Sequence, residues 1–436
     1  MLALNFAVVW AAPVIIQGQS FRRGLDRIAR RAYGLVDGSA TLRRFAARFV
    51  YRRDVHVDYF AAAVLLIISM IVVLSALFAW QITFGSLPWW LVALYYLVWV
   101  GPGGRGMATA WTLAHREGHL SGGRMYRPWL GERVGNCFEN WLGVFYGIVP
   151  YSFSTAHILT HHRFDNGKGD PIYLWDLDRT RFGDLMLYQW RFLLYMAGIS
   201  SLTELRRESG VHPGVDHARR RLGRGMAIYW ICVPAGILSL LIVTGSSVGA
   251  ALVFLFLVYL QPFFAMSTFL SIINVGQHGF LEVDAAGRHV KHVTSTTIVD
   301  GPDDSFGEDY HVAHHYLPAV DHRGLSEHVA RERPAWALCN GSVFENTTFF
   351  EITIMMVRGQ FDRLIREHYV DFSGERTVEE LSELFEQRAK RREITYEHYE
   401  FRYLPGLRDR VRELVKGGVC KDENRAYIYQ SQHSVQ

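Results

Sequence analysis

Between Tyr59 and Trp80 the chain carries no charged residue. As a helix, a stretch of that length crosses the roughly 30 Å hydrocarbon layer of a bilayer, and this limits everything that follows. In hydrocarbon every backbone N–H and C=O must be satisfied by the chain itself, which favours helices. Three further apolar runs follow. After the polar turn 81–86, Leu87–Val100 is too short to cross alone. It is expected to continue through a kink at Gly101-Pro102-Gly103-Gly104 into Met107–Ala114. Met226–Thr244 and Ser247–Ile273 flank the turn Gly245-Ser246, and the second of them contains Pro262. The sequence therefore predicts two transmembrane helical hairpins, four spans in all.

Charge orients them. Arginines from Arg22 to Arg53 precede the first run, and the two hairpin turns contain no Lys or Arg. Basic residues flank spans on the cytoplasmic side, so the opposite loops are expected there. Half of the 436 residues are hydrophobic, but they are gathered in runs and not spread as a soluble core would need. The net charge of +4 needs no nucleic-acid partner, because membrane flanks account for the basic stretch. Cys137, Cys232, Cys339 and Cys420 lack CxxC spacing, which argues against a disulfide framework or a zinc–thiolate site. Residues 2–16 are apolar without a basic n-region, as expected of an interfacial or buried helix and not of a cleaved signal. The expected fold is an all-α integral membrane protein, two hairpins capped by a cytoplasmic helical domain. Its parts are a basic segment 1–58, a membrane-embedded domain 59–320 and a helical region 321–436. In the last, Thr377-Val378-Glu379-Glu380 reads as a capping box opening a helix, and 408–416 as another charged helix.

Histidines cluster where the runs emerge. His115 and His119 follow the first hairpin, and His157, His161 and His162 come next. His278 follows the second hairpin, and His311, His314 and His315 close the series. An i, i+4 pair puts two rings on one helix face, where they can share an ion. Nine clustered histidines are too many for one ion and fit two, with room for oxygen or water. All-nitrogen sites suit zinc, copper, iron or nickel. Asn274, one turn before His278, can complete a coordination sphere through a bound water. Acids near ligating histidines orient the rings, and Glu117, Asp170, Glu308 and Asp309 are the candidates; Asp165 reads as a solvated surface acid. A metal transporter would place its ligands near the bilayer midplane on broken helices. Here the histidines lie beyond the helix ends, which argues against transport.

The order HxxxH, HxxxHH and HxxHH, with hairpins before the first box and between the second and third and an Asn-x-x-x-His element after the fourth run, resembles the membrane fatty acid desaturase/hydroxylase superfamily over about residues 59–320. The resemblance implies a centre of two iron ions. Its ligands would be His115, His119, His157, His161, His162, His278, His311, His314 and His315, with Asn274 holding a water. It further implies activation of O2 and removal of hydrogen from an unactivated C–H bond of a lipid or fatty acyl chain. The electrons would come from a separate ferredoxin, rubredoxin or cytochrome. Desaturation is the preferred outcome, and fatty acid or alkane hydroxylation is the alternative that the boxes do not separate.

Overall fold

The computed structural model describes residues 27–393 apart from 29–30, 102–104, 168–169, 208, 211–213, 303–304 and 318–319. The expectations for residues 2–16, 408–416 and Cys420 lie outside the described residues. The chain forms two compact units, Met1–Ile158 with Met196–Phe269, and Leu159–Tyr195 with Leu270–Gln436.

Asp54–Phe84 and Val215–Val243, in the first unit, form two long apolar helices, and Val248–His278, whose last residues belong to the second unit, is a third. These three are long and apolar enough to cross a membrane. Their apolar side chains stay exposed where a soluble core would hide them, as at Ile68, Ile71, Val72, Ile231 and Val253. Such a continuous apolar surface belongs in lipid. The expected second span differs. The helix Trp89–Val100 has 12 residues and ends at Gly101, whose φ of 69° takes the left-handed region; a new helix, Arg105–Leu120, then begins. A Cβ on Gly101 would meet the Gly106 backbone at 2.4 Å, so the end of one helix and the start of the next pack closely there.

Prolines shape the other arms. Pro262 has no N–H and cannot serve the carbonyls four and five residues before it. The helix widens into a π-helical turn at Phe256–Leu260, and those two carbonyls find other donors. The Tyr95 hydroxyl donates to the Val258 carbonyl at 2.8 Å, and the Tyr96 hydroxyl to the Leu257 carbonyl at 2.8 Å. Pro234 repeats the device. A π-helical turn at Ile228–Cys232 precedes it, and the Tyr259 hydroxyl donates to the Tyr229 carbonyl at 2.9 Å. Tyrosine hydroxyls thus satisfy carbonyls that hydrocarbon could not. At the hairpin turns, buried Gln81 donates to the Gly85 carbonyl at 3.0 Å and to Ser246 Oγ at 3.3 Å, tying the two turns together.

The second unit is mostly helical, with one departure from the all-α expectation. Thr297–Val299 and Val343–Glu345 pair as parallel strands, Thr297 opposite Val343. Both are short β-branched or aromatic segments, a composition that suits a strand once a partner lies alongside. The apolar run after Val343 is divided between this strand and the helix Phe349–Val357, opened by a capping box of Thr348 and Glu351. The Thr377–Glu380 capping box is present as expected and opens Val378–Lys390. Two buried arginines secure the C-terminal helices. Arg179 donates to the carbonyls of Gly279 (3.0 Å), Leu177 (2.6 Å), Arg391 (2.6 Å) and Arg388 (2.7 Å). Arg388 donates to Glu282 Oε2 and to the carbonyls of Asn340 and Cys339, each at 2.6 Å. A third, Arg191, forms a buried two-pronged pair with Asp176 at 2.9 and 3.0 Å.

Replacing Tyr95 by Phe should destabilise the detergent-solubilised chain by about 1–3 kcal/mol, the cost of a buried carbonyl left without a donor. In a Pro262→Ala background the same change should cost less, because residue 262 then offers its own N–H. Thermal unfolding of the four proteins of that cycle measures the difference, and equal losses in both backgrounds would disprove the coupling.

Candidate metal centre

The first unit contributes His115, His119 and His157. His115 and His119 lie one turn apart on Arg105–Leu120, and His157 lies on the π-helical segment Phe153–His161. His115 Nε2 stands 2.7 Å from His157 Nε2 and 3.1 Å from His119 Nε2. Nitrogens sharing an ion at about 2.1 Å bond length are separated by about 3 Å, so the spacing fits a ligand set. The close approach depends on Gly118. A Cβ there would meet Phe153 Cβ at 2.3 Å, so only glycine lets the His157 segment pack against this helix. Trp111 and Phe153 cover the His115 ring, with centroids 4.5 and 5.3 Å away.

The second unit contributes the other six. His311 Nε2 lies 2.8 Å from His278 Nε2. One ligand nitrogen from each of His161, His278 and His315 falls within 4.8 Å of the others. His162 stacks on His315 at 4.6 Å and meets the His314 ring edge-on at 4.8 Å. The short helix His311–Tyr316 is anchored on its other face, where Val312 packs against Trp336 and Val343.

Oxygen atoms lie behind several of the rings. His161 Nδ1 faces Asp170 Oδ2 at 2.8 Å, and that carboxylate is itself held by the backbone N–H groups of Asn166 (2.9 Å) and Ile172 (3.0 Å). His278 Nδ1 faces the Thr294 carbonyl at 3.2 Å. His315 Nδ1 stands 3.0 Å from Asp165 Oδ1, near enough for a charge contact though not aligned for a hydrogen bond. A ring whose Nδ1 donates to such an oxygen, as at His161 and His278, turns its Nε2 lone pair to the centre. His315 Nε2 is buried with no hydrogen-bond partner, an orphaned donor atom that a metal would satisfy. Burial, reinforced by neighbouring imidazoles, holds His311 and His315 well below the ordinary histidine pKa and pushes His162 down to about 3. These rings stay neutral, the form that ligates metal.

The remaining candidates divide. Asn274 Oδ1 accepts from the Tyr188 hydroxyl and from Asn166 Nδ2 at 3.1 Å. The Asp170 carboxylate faces His161. The Glu117 carboxylate turns to the Tyr126 hydroxyl and to the backbone of Phe138 and Glu139; burial pushes its pKa up to about 8, against those hydrogen bonds. The Asp309 carbonyl accepts from the Ile298 N–H at 2.9 Å, and its carboxylate lies over Gly301; Glu308 sits beside it on the same turn. Asp165 is the correction. Far from a solvated surface acid, it accepts from the Tyr316 hydroxyl at 2.8 Å and from Ser295 Oγ at 3.3 Å while backing His315. Adjacency to the second box was its only signal in the sequence, and adjacency does not reveal direction. Left-handed backbone at Asp165 and Asn166, φ 48° and 58°, turns the chain back beneath the rings. His289 and His292 pair with Glu393 and Glu332 at 2.6 Å each, outside the ligand sets.

Replacing Asp170 by Ala should weaken metal binding by roughly 10–100-fold, the usual loss when an orienting partner is removed. Anaerobic metal titration of the purified chain measures it, and an unchanged affinity would show that His161 needs no orienting acid.

Residues 88–345, more than half of the chain, match the family model for fatty acid desaturase, and every histidine described above lies within them. Neither a curated protein nor a solved structure matches the chain significantly. With its histidine boxes inside the matched region and helices long enough to span a bilayer, the chain belongs to the fatty acid desaturase family.

Proposed function

We propose that this chain is a membrane-bound, O2-dependent diiron oxidase acting on an unactivated C–H bond of a lipid or fatty acyl chain, with desaturation as its reaction. Two iron ions would be held by His115, His119, His157, His161, His162, His278, His311, His314 and His315, with Asn274 holding a water. The observation that supports this most is the buried cluster of His161, His278 and His315, whose ligand nitrogens fall within 4.8 Å of one another with oxygens of Asp170, Thr294 and Asp165 behind them. When bound, iron supplies the O2-dependent oxidising power that an unactivated C–H bond demands.

The chain's residues do the rest. Asp165 and Asp170 fix ring direction, Gly118 and Phe153 close the approach of the His157 segment, and half-buried Trp111 with buried Phe153 shields the His115 ring from water. In a desaturation, two hydrogens leave the acyl chain and a double bond forms. O2 is reduced to two waters, with two further electrons from a separate carrier (ferredoxin, rubredoxin or cytochrome) and two protons from solvent. The lipid enters from the bilayer with its polar end at the cytoplasmic interface. In this reading Trp89–Val100 and Arg105–Leu120 together make the second arm of the first hairpin, so that four arms deliver the boxes to the cytoplasmic side. Hydroxylation is the second reading. The His157-x3-His161-His162 box followed by Asp170-Pro171 is also similar to alkane hydroxylases of the superfamily, and both reactions share the first hydrogen removal.

Substituting His161 or His314 by Ala should lower bound iron and abolish product formation; full activity in either variant refutes the diiron assignment. Mass spectrometry of lipids from membranes supplied with O2 and an electron-transfer chain decides the outcome. Loss of two hydrogens is expected for desaturation, and gain of one oxygen identifies hydroxylation.

A further inference from the structure

Two carboxylates in the first unit, Glu117 and Glu139, have no exposed surface. Burying a carboxylate is costly unless its oxygens are satisfied, and here they are satisfied mainly by backbone. Glu117 lies between the two histidines of the first box, and its side chain reaches the segment 136–139. Its Oε2 accepts from the N–H groups of Phe138 at 2.8 Å and Glu139 at 2.9 Å, and its Oε1 from the Tyr126 hydroxyl. Glu139 extends the link. Its Oε1 accepts from the Ser154 N–H at 2.7 Å and its Oε2 from Asn136 Nδ2 at 2.6 Å. Ser154 is the second residue of the Phe153–His161 segment, three residues before His157. Asn136 closes the assembly, donating to the Glu117 carbonyl at 3.0 Å and accepting from the Gly123 N–H at 2.8 Å.

We propose that Glu117 and Glu139 are positioning residues of the metal site, an acid-to-backbone brace that joins the His115/His119 helix to the His157 segment and sets the spacing of their ring nitrogens. This deepens the metal-centre reading and rests on it. Ring nitrogens 2.7 Å apart tolerate little relative movement of the two backbones that carry them. Apolar contact at Gly118 brings the segments together, but dispersion is non-directional and lets them slide. Short hydrogen bonds from backbone N–H groups to a carboxylate are directional and strong, and they remove that freedom. The brace does not depend on whether Glu117 carries a proton. A proton on Oε1 would be shared with Tyr126, and both backbone bonds are made by Oε2.

The test is anaerobic Fe(II) titration of the full chain in nanodiscs, with thermal unfolding followed in parallel. Wild type should take up two equivalents. Glu117→Ala and Glu139→Ala should each weaken one of the two by roughly 10–100-fold and leave the other. Glu117→Gln should keep near-wild-type affinity, because its amide oxygen can accept from both N–H groups while its nitrogen donates to the Tyr126 oxygen. Glu139→Gln should not rescue, because Asn136 already directs an amide nitrogen at that position. In a His157→Ala background, adding Glu139→Ala should weaken binding no further, since its effect passes through that ring. Wild-type affinity in Glu117→Ala, or Glu117→Gln as weak as Glu117→Ala, overturns the proposal. Should the alanine variants not fold, the two glutamine variants decide: retention in the first and loss in the second is expected, and equal affinities overturn it. A wild-type chain that takes up no iron overturns the metal-centre reading, and the brace with it.

Discussion

Neutral imidazoles crowded with their lone pairs inward repel one another, and this fold is arranged to keep them so. His311 and His278 hold Nε2 atoms 2.8 Å apart, and His115 and His157 hold theirs 2.7 Å apart. In water such rings would protonate or part. Here burial disfavours charging of His311, and oxygens of Asp170 and Thr294 on the far side of His161 and His278 oppose turning of those two rings. What remains is a set of directed nitrogen lone pairs, which a divalent metal converts from a liability into a bond.

The same accounting governs the membrane helices. Pro234 and Pro262 free carbonyls that lipid cannot satisfy. The chain answers with π-helical turns and with hydroxyl donors from Tyr95, Tyr96 and Tyr259. These bonds fix contacts between helices at defined depths, which apolar packing alone does not do in lipid. The first half of the Val248–His278 helix thus has its register held by the Tyr95 and Tyr96 contacts.

Much of this was legible beforehand, for physical reasons. Helical spacing makes i, i+4 histidines face together, so the boxes could be read without tertiary information. Uncharged runs marked the three long helices, and Thr377-x-x-Glu380 marked a cap. What could not be read depends on distant partners. The run Leu87–Ala114 announced a kink at Gly101–Gly104, but the close approach of Gly101 to Gly106 cannot be read from an apolar run. Thr297–Val299 and Val343–Glu345 are each too short to announce a strand, and their pairing spans more than forty residues of sequence. Asp165 and Glu139 gave no pattern because a carboxylate's role lies in its direction, and direction comes from left-handed backbone at 165 and 166 in one case and from the Ser154 N–H in the other.

The region beyond His315 carries no histidine of the boxes, yet it has a mechanical reason to be present. His278 ends a helix and must be followed by a turn, a place where chains are ordinarily mobile. Here the residues after it are gripped. Arg179 takes the Gly279 carbonyl together with those of Arg388 and Arg391, and Arg388 takes Glu282 together with the end of the helix Leu325–Cys339. On the other side of the helix, Gly276 admits the Phe349 carbonyl so closely that a Cβ would meet it at 2.2 Å, and Thr353 Oγ1 donates to the Ile272 carbonyl at 2.7 Å. His278 is thus clasped between Phe349–Val357 and Val378–Lys390. Arginine suits this work because its five fixed donors can bind several carbonyls at once, which lysine's point charge cannot do in one geometry. The C-terminal helices hold in place a ligand that they do not themselves supply.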